Sequence, residues 1–310
     1  MGNCVIDRAD ATTRVVGDGE DASKESMRQA MLNVQIKSWN DYREKLSSNH
    51  EDSRSALFLS NHHVDSGYWL GEYRRSGPGT LEGAKFVAAL RMRLLLPAFS
   101  DREGFGQGMR CQCGSRIDMR KEVFHHLDCR NSRWYVRRRH DAVVMVIAEL
   151  LGRKANVEVE IEPDIGGGRK ADIRLVCNHV TTLLDVVISN PAAPSHRRTA
   201  NSHRVENSAN NAAEGRKRDS FRGQPGLRVD GANANFFPLA FESTGRIGMA
   251  ALAFLQGYCV DDLRIQMKTS LRKVGSLITY FGAAMTDELG RHSEQLHIPR
   301  PVIINGVAIR

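Results

Sequence analysis

Long apolar runs are absent from this sequence. No stretch of its 310 residues approaches the roughly 18 uninterrupted apolar residues that a membrane span needs. Residues 1–10 lack the apolar core of a secretory signal, and Ile6 stands where the myristoylation pattern requires serine or threonine. The sequence therefore predicts a protein that is neither secreted nor bound to a membrane.

Aromatic residues are also scarce, at 6% of the chain. Hydrophobic residues make up 41% and charged residues 26%, which is close to an ordinary globular protein. The length leaves room for about two domains of roughly 150 residues each. Residues 1 to 25 are polar and rich in glycine and aspartate, so we expect this segment to be disordered.

Positive charge is unevenly distributed along the chain. The sequence has 44 lysines and arginines against 36 acidic residues, a net charge of +8. The excess lies in residues 110–140, with nine basic residues against three acidic ones, and in residues 196–228, with eight against three. Concentrated basic segments are typical of polyanion-binding proteins, and nucleic acid is the first candidate. Two solvated faces would explain the charge equally well.

Three of the six cysteines lie close together in the sequence, and the other three are scattered singly. In a chain without a secretory signal this placement indicates a reducing compartment and a metal site, because disulfides are rare there. Cys111, Cys113, His125 and Cys129 would give Zn²⁺ four tetrahedral ligands with no open position, the pattern of a structural zinc. His126 competes with His125 for the fourth place. Incidental buried thiols are the alternative interpretation.

Hydrophobic periodicity predicts helices over residues 26–46 and 81–95, both packed against a core, with a polar linker between them and Pro97 as the end of the second. From residue 142 onward the pattern predicts a mixed α/β domain with the element order α-β-β-β-α-β-α-α. The predicted helices are 142–151, 199–218, 246–255 and 270–289, and the predicted strands are 157–162, 171–177, 183–189 and 236–242. The third strand is apolar enough to be central.

Two aspartates on neighbouring predicted strands form a second candidate site. Asp185 lies inside an otherwise apolar strand, where an ionised carboxylate is costly unless it has a strong partner. Asp172 and Asp185 together would offer the oxygen ligands that Mg²⁺ prefers, and Mg²⁺ can polarise a phosphodiester. Glu160 and Glu162, on the preceding strand, could support such a site. Aspartates that cap loops at strand ends are an equally common explanation.

A lysine usually completes a site of this kind by stabilising charge on the phosphate. Val187 occupies the position two residues after Asp185, so the nearest candidate is Lys217 on the predicted following helix. Arg139 and His140 precede a predicted helix capped by Asp141, where they could bind phosphate; surface arginines beside a helix cap are the alternative. The glycines at 166–168 lack the lysine of a nucleotide loop and predict a turn.

The order of these motifs resembles the C-terminal region of non-LTR retrotransposon polyproteins, which carry a restriction-like endonuclease behind a zinc knuckle. The resemblance covers about residues 80–290, and it implies a PD-(D/E)XK-type nuclease fold, a mixed sheet flanked by helices, that nicks target DNA. It also implies a division into a tail with a helix (1–80), a helical lead-in (81–110), a CCHC zinc module (111–140) and a nuclease domain (141–310).

By the same resemblance, Asp172 and Asp185 are catalytic carboxylates that hold Mg²⁺, and Lys217 is a displaced catalytic lysine. Ala171 replaces the family's proline, and no Tyr-x-Asp-Asp polymerase motif occurs. The implied partner is DNA, with RNA as a second candidate, and the implied location is the nucleus. The alternative function is an inactive, zinc-stabilised nucleic-acid-binding module. The residues expected to contact nucleic acid are Arg137, Arg138, Arg139, His140, Arg169, Lys170, Arg197 and Arg198.

Overall fold

A computed structural model describes most of the chain, and the chain divides into two compact units, 1–49 and 50–310. Residues 1–18 of the segment predicted to be disordered (1–25), and the predicted glycine-rich turn (166–168), lie outside the described residues. Residues 19–25, which were also predicted to be disordered, are helical instead. The described residues are 19–49, 51–67, 69–72, 83–96, 113, 124–165, 169–222, 228–229, 232–260, 263–296, 302–304 and 307–309.

The first unit contains one long helix, α1 (Gly19–Ser48), which includes the helix predicted over 26–46. The predicted core packing is wrong for most of the apolar side chains described in this helix, although Leu46 near its end is buried. Val34 is 66% exposed and Ile36 is 50% exposed. The apolar spacing thus correctly predicted the helix but not a buried face, because side chains at helical spacing can form a stripe that no other segment covers.

The second unit begins with three helices, α2 (Asp52–His62), α3 (Trp69–Glu72) and α4 (Gly83–Arg93). The first two lie where a polar linker was predicted; α2 forms because it can bury a consecutive apolar run in the middle of a polar segment. Leu95 adopts a left-handed φ of 57°, so the last helix ends before the predicted Pro97. The apolar run buried by α2 is Ala56, Leu57, Phe58 and Leu59.

The helix that precedes the sheet, α5 (Arg133–Leu151), begins nine residues before its predicted start. Ser132 occupies the N-cap position, and Asp141, the predicted cap, lies in the middle of the helix. Arginine is a good helix former and the basic run contains no breaker, so the helix continues through it. Arg139 and His140 are therefore not at a helix N-terminus.

A five-stranded mixed sheet lies at the centre of the second unit, in the order β1-β2-β3-β5-β4. Strand β2 is antiparallel to both β1 and β3. Strands β3 and β5 are parallel, and the short β4 is antiparallel to β5. The predicted central position of the third strand is confirmed. The strands are β1 (Val157–Ile161), β2 (Ile173–Cys177), β3 (Val180–Ser189), β4 (Arg228–Val229) and β5 (Ala232–Glu242).

Two helices connect the parallel strands β3 and β5, namely α6 (Pro194–Ala200) and α7 (Ser208–Arg222). A single helix over 199–218 was predicted. Asn201 and Asn207 both adopt left-handed φ angles, 52° and 59°, and they interrupt the helical conformation between the two segments. Helix α7 packs against β3 and β5, with Ala209 and Ala213 buried.

Helices cover both faces of the sheet. On one face α5 packs with α8 (Met249–Tyr258) and the long α9 (Leu263–Leu296), and α7 covers the other. A small hairpin of β6 (Val302–Ile304) and β7 (Val307–Ile309) follows in sequence. The mixed α/β class with a helix-flanked sheet is confirmed. Among the described residues, no helix is long and apolar enough to cross a membrane.

Candidate active site

A two-residue hairpin turn sets the geometry of the aspartate pair. Asn178 and His179 both have positive φ angles, 50° and 63°, as a type I′ turn between antiparallel strands requires. This turn fixes the register of β2 and β3 so that Ile173 faces Leu184. One position beyond that pair, Asp172 donates its backbone N–H to the Leu184 carbonyl at 3.1 Å. Asp172 therefore lies directly opposite Asp185.

The two carboxyl groups are hydrogen-bonded to each other. Burial and the neighbouring carboxylate disfavour the charged form of Asp185 and raise its pKa to about 6. Burial would also raise the pKa of Asp172, but the hydrogen bonds from His140 and Asp185 outweigh it and lower that pKa. The backbone N–H of Val186 donates a further bond to Asp172 Oδ2 at 2.6 Å. Of the two carboxyl groups, Asp185 is therefore the one that is protonated first as the pH falls.

His140 approaches the pair from α5. Its Nε2 lies 3.2 Å from Asp172 Oδ2 and 3.1 Å from the Val186 carbonyl, and its Nδ1 lies 3.2 Å from Asp141 Oδ1. Because every partner is an acceptor, both ring nitrogens act as donors and the ring is an imidazolium. Burial opposes this charge, but the bonds to Asp172 and Asp141 prevail and raise the pKa of His140 to about 9.

Lys217 reaches the site from α7. Its Nζ lies 2.8 Å from Asp185 Oδ2. Ala213, one helical turn earlier, is buried against the sheet, so the i, i+4 spacing places Lys217 on the face that points toward β3. Lys217 therefore lies beside Asp185 although it comes from a helix. The strand position two residues after Asp185 is occupied by Val187 and supplies no lysine. This contact favours a catalytic arrangement over two loop-capping aspartates.

A cleft of about 740 Å³ lies between α5, the end of β3 and α7, and it is lined by the two basic groups that contact the aspartates rather than by Asp172 and Asp185 themselves. His140 and Lys217 line it, together with Glu162. Glu160 does not line the cleft; it forms an ion pair with Arg174 across β1 and β2 at 2.9 Å. Of the two glutamates predicted to support the site, only Glu162 is thus positioned to do so.

The donor set of this site fits a divalent cation. Two carboxyl groups that face each other and repel when both are ionised form an environment in which positive charge is stabilising. Oxygen donors of this kind suit Mg²⁺ better than zinc or copper. Asp172 and Asp185 are the residues that would hold it.

The basic residues predicted to contact nucleic acid differ in accessibility. Arg137, Arg138, Arg169, Lys170 and Arg198 are exposed, and His140 is half-buried within the site. Arg197 is half-buried and donates from Nε to the Ala192 carbonyl at 2.9 Å.

Arg139 does not fit the prediction that it contacts nucleic acid. It is only 1% exposed, and its guanidinium donates to the Leu127 carbonyl at 3.3 Å. Arg139 lies one helical turn before the buried Val143, on the face of α5 that packs inward. Its neighbours Arg137 and Arg138 are exposed. Arg139 therefore connects α5 to the segment that contains Leu127 and is not available to bind nucleic acid.

A second cluster contains soft ligands. One ligand atom each from Cys113, His125 and Cys129 lies within 4.8 Å of the others, and Cys113 Sγ lies 3.3 Å from His125 Nε2. These sulfur and imidazole donors suit zinc, so the cluster could bind that metal. His125 rather than the fully buried His126 belongs to the cluster. Cys111, the predicted fourth ligand, lies outside the described residues.

The residues around this cluster pack into the second unit. Phe124 and Leu127 are buried, and Asn190, directly after β3, donates from its amide to the Phe124 carbonyl at 3.3 Å. A methyl group added to Gly282 of α9 would lie 3.2 Å from the Leu127 side chain, so α9 and the segment around Leu127 approach each other closely at this glycine. The cluster region is therefore attached to both β3 and α9.

Two features of the site were missed in the sequence. His140 was predicted to hold phosphate, whereas its closest contacts are Asp172 and the Val186 carbonyl. Trp134 lines the cleft but was not singled out. Its spacing of three and four residues from Arg137 and Arg138 was the available signal, an aromatic ring within a basic helical face.

Comparison with protein-family models and with curated proteins finds no match for this chain.

Replacing Asp185 by asparagine should stabilise the protein when no Mg²⁺ is added. Because the folded pKa is raised to about 6, the folded state binds a proton that the unfolded state releases near pH 4. The parent therefore loses stability as the pH rises through this interval, and Asp185→Asn does not. We expect a gain of about 2 kcal/mol above pH 7 and almost none at pH 4. Denaturant unfolding at both pH values measures this; an equal gain at both would contradict it.

Proposed function

We propose that this protein is a Mg²⁺-dependent DNA endonuclease with a restriction-like nuclease fold. The observation that carries the proposal is the meeting of three residues from separate segments: Asp172 directly before β2, Asp185 on β3 opposite it, and Lys217 on α7, whose Nζ lies 2.8 Å from Asp185 Oδ2. Paired carboxylates with an adjacent lysine form a constellation suited to phosphodiester hydrolysis. The helix-flanked mixed sheet is compatible with such a fold.

Each residue has a distinct role in the proposed reaction. A bound Mg²⁺ would act as a Lewis acid on the phosphodiester. Asp172 and Asp185 hold the cation, and the imidazolium of His140 keeps Asp172 in position through the bond at 3.2 Å. The ammonium of Lys217, whose side chain is about one-third exposed at the cleft, stabilises negative charge that develops on the phosphate.

DNA is the proposed substrate, and RNA is a second polyanion that the same surface could bind. The exposed Arg137, Arg138, Arg169, Lys170 and Arg198 supply the positive charge. The order of motifs supports an origin in the C-terminal region of a non-LTR retrotransposon polyprotein, and a protein that nicks chromosomal DNA would act in the nucleus. The zinc cluster has a structural role in this proposal.

Nicking of supercoiled plasmid in the presence of Mg²⁺ tests the proposal. The parent should convert supercoiled DNA to the open circular form, and Asp185→Ala should not. Glu158→Gln is a matched control, because Glu158 is an exposed acidic residue on β1 whose neutralisation leaves the site intact. Plasmid binding without nicking by the parent would overturn the nuclease proposal in favour of the inactive binding module.

A further inference from the structure

An exposed tryptophan stands at the edge of the candidate active site. Trp134 lies in the first turn of α5, is 56% exposed, and lines the cleft that His140 and Lys217 also line. The Arg138 guanidinium lies over the indole ring, 4.2 Å from its centroid, and the ring of Tyr135 meets it edge to face at 4.8 Å. This arrangement differs from core packing, because more than half of the indole surface faces solvent.

The contacts of Trp134 restrain its orientation without burying it. A cation–π contact with Arg138, one helical turn away, limits the side-chain rotamers of both residues. An aromatic ring that is held in place at a basic cleft loses little conformational entropy when a flat ligand stacks on it. Arg133 and Arg137 line the same cleft and are exposed, so positive charge surrounds the ring.

We propose that the Trp134–Arg138 pair is a stacking platform for an unpaired DNA base, so that the preferred substrate contains a single-stranded segment at the cleft. Bases within a duplex are stacked on each other and their faces are inaccessible, whereas an unpaired base can stack on an indole or a guanidinium plane. The arginines beside the ring contact the phosphates of the same strand. This inference rests on the proposed nuclease function for the identity of the ligand.

The position of Trp134 on α5 relative to His140 indicates where a bound strand would be cut. His140 lies six residues after Trp134 on the same helix, about 9 Å along its axis. A strand held at Trp134 therefore passes close to His140, whose Nε2 lies 3.2 Å from Asp172 Oδ2. Cleavage is then directed to a position near the junction between duplex and single strand.

Fluorescence anisotropy with labelled DNA and no added Mg²⁺ tests the platform independently of cleavage. The probes are an oligothymidylate and a blunt duplex of the same length. Trp134→Ala should weaken binding of the single strand about 10- to 100-fold and leave duplex affinity within about twofold. Trp134→Phe should restore most of the loss, because phenylalanine keeps an aromatic face. Met145→Ala, at an equally exposed apolar residue of the same helix, should change neither affinity.

Each outcome of this experiment decides the proposal. Equal losses for both probes, no loss for either, or failure of phenylalanine to rescue would overturn the platform. Arg137→Ala should instead weaken both probes and lower the salt dependence of binding, since it contacts phosphate. A parent that prefers the single strand through Trp134 but does not nick plasmid would support the platform and overturn the nuclease function, so the two failures are distinguishable.

Discussion

Replacing Asp172 or Asp185 by alanine should lower the rate of plasmid nicking by more than about 1,000-fold, while DNA affinity stays within about threefold of the parent. The aspartates lie opposite each other, beside the His140 and Lys217 side chains that line the cleft, and would together hold the cation. Removing one leaves too few ligands for it. Binding should persist because a lost carboxylate removes repulsion against phosphate.

Lys217→Ala should have a smaller effect, about 100-fold on the nicking rate. Its ammonium lies 2.8 Å from Asp185 Oδ2 and would share the task of charge stabilisation with the cation. Lys268→Ala is the control, because Lys268 is exposed on α9 outside the cleft. Single-turnover nicking separates these variants. A Lys217→Ala protein as inactive as Asp172→Ala would contradict this division of roles, and unchanged nicking by either aspartate variant would contradict the nuclease proposal.

The sequence predicted the aspartate pair because its physical basis is local. The segment between Asp172 and Asp185 is two short apolar strands joined by Asn178 and His179, and a two-residue turn leaves only one register in which both apolar faces are buried. Asp172 and Asp185 then face each other as a consequence of spacing. The central position of the third strand was predictable from its nearly continuous apolar run, whereas the order of the other strands was not predicted.

Other parts of the site depend on tertiary contacts that periodicity does not encode. The break between α6 and α7 depends on two asparagines in left-handed conformations, and asparagine is compatible with a helix as well. The basic run at the start of α5 gave no sign that Arg139 is buried while Arg137 and Arg138 are exposed. That difference follows from where Leu127 and its neighbours pack, which is set by residues distant in sequence.

Purified protein should contain one zinc ion per chain, and Cys129→Ser should remove it. Cys129 is buried in the Cys113–His125–Cys129 cluster, and a serine hydroxyl is a poor zinc ligand. Structural zinc in small modules contributes about 10–16 kcal/mol of binding free energy, which is also folding free energy. Loss of the metal should therefore unfold the region locally, and a zinc chelator should act in the same way on the parent.

Hydrogen exchange measures this effect region by region. In Cys129→Ser, the amides of residues 124–132 should exchange at least about 100-fold faster than in the parent. The amides of β3 should change little, because β3 packs in a separate apolar core. Cys177→Ser is the matched control, since Cys177 is a partly exposed free cysteine in β2, outside the cluster. Protein without zinc, together with unchanged exchange in the presence of chelator, would exclude a zinc site. Opening that spread into β3 would instead indicate that the Asn190 contact couples the zinc cluster to the aspartate-bearing strand.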